Sequence, residues 1–180
     1  MREQKYLELL SNGKIEELKE LLENNIRNGI ALKKNSKSRI SALNRIEKSI
    51  QKIGNSNLIG CTKLNDMYLF TDSYQVALLK DNANYEINEK FPQMENVINK
   101  ILEDKTKLYV DIKDLAYYTK IKMDYKNEFF NNIVFDYKLV KNALDALGGD
   151  VELFANKDKN ILVFENKENE MYIILGKRVY

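Results

Sequence analysis

One pattern, met twice along the chain, constrains the fold more than any other feature: an amphipathic helical stretch followed at once by three short strand-like runs. In the first copy Ile40, Leu43, Ile46, Ile50 and Ile53 recur three and four residues apart, which predicts one buried stripe on a helix near 38–53. After the turn Gly54-Asn55-Ser56-Asn57 come the runs Leu58–Lys63, Met67–Asp72 and Tyr74–Lys80. In the second copy Leu139, Val140, Ala143, Leu144 and Leu147 stripe a helix over Asp136–Leu147, which Gly148-Gly149 is placed to stop. Val151–Ala155, Ile161–Glu165 and Met171–Leu175 then repeat the three runs. Residue identity between the copies is slight, so the repeat is one of structure. Each helix must bury its apolar face against a sheet, and the expectation is an α+β domain built from two helix-plus-antiparallel-meander halves.

The stretch between the halves is less regular. Tyr85–Phe91 reads as extended, Met94–Leu102 as a short helix after Pro92, and Leu108–Ile112 as a strand. Asp114–Met123 fits neither period, and Asn132–Phe135 reads as extended. At the other end Leu7, Leu10, Ile15, Leu18, Leu21, Leu22 and Ile26 have helical spacing, broken by Ser11-Asn12-Gly13. This predicts a helical N-terminal arm over 1–32 ahead of a domain over 33–180. Leu7, Leu10, Leu18 and Leu22 are the arm's candidate partner-binding residues, for oligomerisation or docking; packing on its own domain accounts for them equally well.

Composition narrows the chemistry. With no histidine and the single Cys61 among 180 residues, the chain lacks His-based triads, His general bases and Cys or His metal clusters. The Gly-rich phosphate loops and the GxSxG elbow are also absent. A non-enzymatic protein without cofactor, metal or catalytic residue is the expectation. Asp111, Asp114 and Asp124 with Glu128 raise a carboxylate-dependent nuclease as an alternative, but Lys113, Lys120, Lys122 and Lys126 are interleaved with them, which reads as paired surface charge. Tyr109, Tyr117, Tyr118, Tyr125 and Tyr137 could stack on bases, although core and sheet packing explains them without a ligand. No apolar run reaches the ~18 residues of a membrane span, and the start MREQKYLELL lacks the apolar region of a signal peptide. A cytoplasmic protein with no membrane partner is therefore predicted.

Charge is uneven. The net charge is only +2, yet Arg27, Lys33, Lys34, Lys37, Arg39, Arg45, Lys48 and Lys52 face Glu47 alone between 27 and 52. Such concentration suits a protein that meets a polyanion on one face. If the two helices lie on the same side of the sheet, Lys37, Arg39, Arg45, Lys48, Lys52, Lys138 and Lys141 form one candidate nucleic-acid-binding surface, gripping phosphates without reading bases.

The segment FDYKLVKNALDALGGDVELFANKDKNILVFENKENEMYIILGKR, within Ile133–Tyr180, resembles the C-terminal domain of the bacterial DNA polymerase sliding clamp, the β subunit. Leu69–Leu78, LFTDSYQVAL, is similar to the clamp's threonine-aspartate turn, and Phe91–Ile98, FPQMENVI, to its phenylalanine-proline segment. Gln75 stands where the family has an arginine, and Leu175-Gly176 where it has methionine-proline. The resemblance implies a single DNA-clamp-like domain and a DNA-associated scaffold of the replication or recombination kind, with duplex DNA, replication or recombination proteins and copies of itself as partners. A small Lys- and Asn-rich chain with an unrelated arm suggests a mobile-element or phage-like origin. The alternative is a protein-interaction module that keeps the clamp-like fold without DNA binding and uses the arm to oligomerise or dock.

Overall fold

The computed structural model describes residues 14, 37–81 and 83–178. The chain divides into two units, Met1–Lys37 and Ser38–Tyr180. The predicted arm, with Leu7, Leu10, Leu18 and Leu22, lies outside the described residues.

The second unit is α+β. Helix α1 (37–53) leads into strands β1 (Thr62–Leu64), β2 (Met67–Thr71) and β3 (Gln75–Leu79). Helix α2 (Glu95–Glu103), strand β4 (Thr106–Leu108), helix α3 (Ile112–Lys120) and strand β5 (Ile133–Val134) follow. Helix α4 (Tyr137–Leu147) then precedes β6 (Val151–Asn156), β7 (Ile161–Asn166), β8 (Met171–Leu175) and β9 (Lys177–Arg178). Seven strands form one antiparallel sheet in the order β1-β2-β3-β8-β7-β6-β4, and β5 pairs with β9 beside it. The last strand of each meander is thus the one that joins the halves, with Ala77 opposite Tyr172 and Val76 opposite Ile173.

Register decides what faces the helices. Side chains alternate along a strand and cross-strand partners point the same way. Gln75, Ala77 and Leu79 therefore share a face with Phe70, Tyr172, Ile174, Leu162 and Phe164. All of these are buried. Helix α4 reaches that face through Asn142, whose amide donates to Gln75 at 3.0 Å. Helix α1 reaches it through Asn44, which accepts from the Tyr85 hydroxyl at 2.6 Å while the Tyr85 ring stands edge-on to Phe70. Both helices lie on one side of the sheet, with Ala42, Leu43, Ile46 and Ile50 of α1 and Val140, Ala143, Ala146 and Leu147 of α4 in a common core.

Several local expectations needed correction. The stripe on α1 is shorter than its periodicity suggests, because Ile40 and Ile53 are 41% and 46% exposed at its two ends. The first strand begins at Thr62, since Asn55 caps a 3-10 turn over Ser56–Leu58. Tyr85–Phe91 forms no strand and meets Cys61 by a single bridge at Ile87. The strand expected over Leu108–Ile112 sits at Thr106–Leu108, because the Asp111 carboxylate accepts from the Lys113 amide at 2.8 Å and starts α3. That helix occupies most of the ambiguous Asp114–Met123 stretch. Gly148, at φ 88°, ends α4 in the left-handed region as the Gly148-Gly149 pair predicts.

Candidate nucleic-acid interface

Helices α1 and α4 are tied together by polar side chains as well as by the core. Arg45 of α1 donates to the Asn142 carboxamide and to the Asp145 carboxylate of α4. Asp145 also accepts from Lys141, one turn earlier, at 2.7 Å. Between the helices, and over the end of the β3–β8 seam, runs a groove of about 670 Å³. Six cationic side chains line it, Arg45, Lys48 and Lys52 from α1, Lys138 and Lys141 from α4, and Lys177 from β9, against Asp72 and Asp136.

The structure therefore brings together five of the seven candidate nucleic-acid-binding residues: Arg45, Lys48, Lys52, Lys138 and Lys141. They are not equivalent. Arg45 and Lys141 share Asp145, so much of their charge is compensated. Lys177 lies 3.4 Å from Asp124 and 4.0 Å from Asp136. Lys48, Lys52 and Lys138 are exposed and form no ion pair among the described residues, which leaves them as the groove's available positive charge.

The other two candidates sit elsewhere. Lys37 is exposed at the start of the described helix and does not line the groove. Arg39 is engaged within the fold: its guanidinium grips Glu170 at 3.0 and 2.6 Å and donates to the Ala146 carbonyl at 3.1 Å. Glu170 is buried and also accepts from the Lys80 amide and the Asn166 carboxamide, each at 3.0 Å. A buried carboxylate so fully surrounded by donors needs its arginine to balance the charge.

The groove floor is a network that sequence reading missed. Gln75 donates to Asp72 at 2.6 Å, and its carbonyl oxygen accepts from Asn142 at 3.0 Å and from the Tyr172 hydroxyl at 2.7 Å. Asp72 also accepts from the Tyr74 and Gln75 amides at 3.0 and 3.1 Å. Burial holds the Tyr172 phenol well above its usual range, with the Asp72 carboxylate adding to the rise and Arg45 opposing it. The four buried side chains Asp72, Gln75, Asn142 and Tyr172 come from β3, its preceding turn, α4 and β8, so no local spacing announces them. A glutamine inside a strand-like run was the one available signal.

The network fixes the hairpin between β2 and β3. Ser73 takes φ 77°, a conformation a side chain seldom adopts, and its amide donates to Thr71 Oγ1 at 3.1 Å. This turn presents Tyr74, 56% exposed, at the groove beside Leu175, 42% exposed. The Leu175 amide donates to the Tyr74 carbonyl at 2.9 Å, which holds the pair side by side.

Two of the four carboxylates weighed for metal binding are engaged within the fold. Asp111 caps α3, and Asp124 accepts from the Tyr137 amide at 3.1 Å while facing Lys177. Among the described residues no group of three or more histidine, cysteine or carboxylate side chains is placed to hold a metal. The tyrosines divide: Tyr125 packs in the core against Tyr118 and Phe135, whereas Tyr109 and Tyr117 are 93% and 60% exposed, contrary to a uniform packing role. No helix among the described residues is long and apolar enough to cross a membrane.

Comparison with known proteins gives a partial likeness. No family model and no solved structure matches the chain. It is similar to part of the telomerase reverse transcriptase of Euplotes aediculatus, with 31% identity over 142 residues. The match takes in 73% of this chain but 14% of that protein, so the chain spans a small fraction of its relative's length.

Proposed function

We propose that this protein is a non-enzymatic, clamp-like DNA-associated scaffold whose paired helices lie against the phosphate backbone of a duplex. The observation that supports it best is the convergence of Arg45, Lys48, Lys52, Lys138 and Lys141 along one groove, drawn from helices almost a hundred residues apart in sequence. Such a grip is electrostatic: lysines neutralise phosphates, counterions are released, and no base edge is read. That suits a protein that holds DNA without stopping at a sequence.

One further feature agrees with the reading. The sheet ends in two short edge strands, β1 and β4, where copies of the chain would pair head to tail to build an assembly around DNA. In this role the protein would serve replication or recombination partners as a holder, with no bond made or broken.

An anisotropy titration with labelled duplex DNA, at about 50 mM and 200 mM salt, tests the proposal. Binding at low salt that weakens steeply at high salt is expected; no binding at low salt would remove it.

A further inference from the structure

Lysines on two helices account for a duplex lying across the groove, but they leave its interior and its aromatic wall unexplained. At about 670 Å³ the groove has the volume of sites that enclose small molecules, roughly 300–1,000 Å³. A stacked duplex cannot enter such a space, whereas an unpaired nucleotide can. The wall that such a nucleotide would meet is apolar and rigid: Tyr74 and Leu175 from adjoining strand ends, with Leu139 of α4 nearby.

The exposure of Tyr74 has a structural cause. The turn that carries it is pinned by Asp72, which accepts from the Tyr74 and Gln75 amides, while Gln75 is itself anchored to Asn142 and Tyr172. The strained Ser73 backbone completes the turn. A buried network of this size fixes the backbone that carries the exposed ring, which lowers the ordering cost when a planar partner stacks on it. Around the same groove Lys48, Lys52 and Lys138 supply unpaired positive charge.

We infer that the groove is a site for unpaired nucleotides of single-stranded nucleic acid, with a base stacked on Tyr74 and the flanking phosphates held by Lys48, Lys52 and Lys138. This rests on the reading of the groove as a nucleic-acid surface, and narrows it. The two modes use different atoms: a duplex touches the lysines at the groove's mouth, whereas a single strand also needs the ring. Base identity matters little, since every base offers a flat face and the lysines see only phosphate.

The test is an anisotropy titration of the full chain with a labelled dT oligonucleotide and with a duplex of equal length, repeated for Tyr74→Ala, Tyr74→Phe and the double variant Lys48→Gln/Lys52→Gln. Tyr74→Ala is expected to weaken single-strand binding about tenfold and to leave duplex binding within about twofold. Tyr74→Phe keeps the ring and is expected to bind like the parent. The lysine variant weakens both ligands. Equal loss, or no loss, of both ligands on Tyr74→Ala would overturn the inference, as would duplex binding with no single-strand binding. Displacement of the oligonucleotide by polyglutamate at equal charge would also overturn it, since the groove would then accept an acidic peptide. Failure of either nucleic acid to bind at low salt would remove the underlying reading as well.

Discussion

Arg39 and Glu170, 131 residues apart, form a two-pronged ion pair at 3.0 and 2.6 Å that fastens the first helix to the turn between β7 and β8. The carboxylate is 1% exposed, so the pair lies within the fold and not on its surface. Arg39→Ala is expected to cost about 3 kcal/mol in urea unfolding, because truncating one member strands a buried charge. The same variant, while folded, is expected to keep the parent's salt dependence of DNA binding, since this guanidinium faces inward. A normal unfolding midpoint combined with weakened DNA binding would reverse both assignments.

The glutamine beneath the groove supports three partners at once. Gln75→Leu preserves bulk but leaves Asp72, Asn142 and the Tyr172 hydroxyl each short of a hydrogen bond. A loss of about 2–3 kcal/mol is expected, with denaturant titration as the measurement. Because the Tyr74 turn is held by the same network, single-strand binding is expected to fall in this variant even where it remains folded. An unchanged midpoint would show that the network contributes little.

Gly176 occupies a place where no side chain fits. A Cβ there would stand 2.5 Å from Ile133 and 2.9 Å from the Phe135 ring. Gly176→Ala is therefore expected to destabilise by about 1–3 kcal/mol through overpacking, read as a lowered thermal midpoint. Ile133→Ala in the same chain is expected to restore part of the loss by vacating the space.

Alkaline conditions are expected to unfold the protein by a defined route. Burial raises the phenol of Tyr172 well above its ordinary value, and raises Tyr85 and Tyr125 in the same direction. A group that holds its proton more tightly when folded gives its full stabilisation below the unfolded pKa, here about 10. That stabilisation is lost as pH rises above that value, because the unfolded chain ionises first. Unfolding midpoints measured from neutrality upward are expected to hold until about pH 10 and then fall; replacing Tyr172 with Phe reduces the slope of the fall.

Much of this architecture was legible in the sequence. Leu43, Ile46 and Ile50 announced α1 through their spacing, and the three closing strands followed from alternation between turn-rich segments. Periodicity failed where burial fades, as at Ile40 and Ile53, and where a cap overrides a strand-like run, as at Asp111. The groove was half legible. Lysines on two helix faces can be listed from sequence, but Arg39 and Arg45 look alike until their carboxylate partners, far along the chain, are seen. Tyr74 was hidden for a similar reason: within a strand-like run an aromatic residue reads as core, and only the Asp72–Gln75 network shows why it is turned outward. Tyr109 and Tyr117 were misjudged in the same way.

The central claim is that unpaired cations from two helices act as one surface on phosphates. The slope of binding against salt for duplex DNA, compared between the parent and Lys48→Gln/Lys52→Gln/Lys138→Gln, addresses it directly. If the claim holds, the parent binds at low salt and the triple variant's logarithmic slope is shallower by about three, one for each phosphate contact removed. An identical slope in a folded triple variant would contradict it.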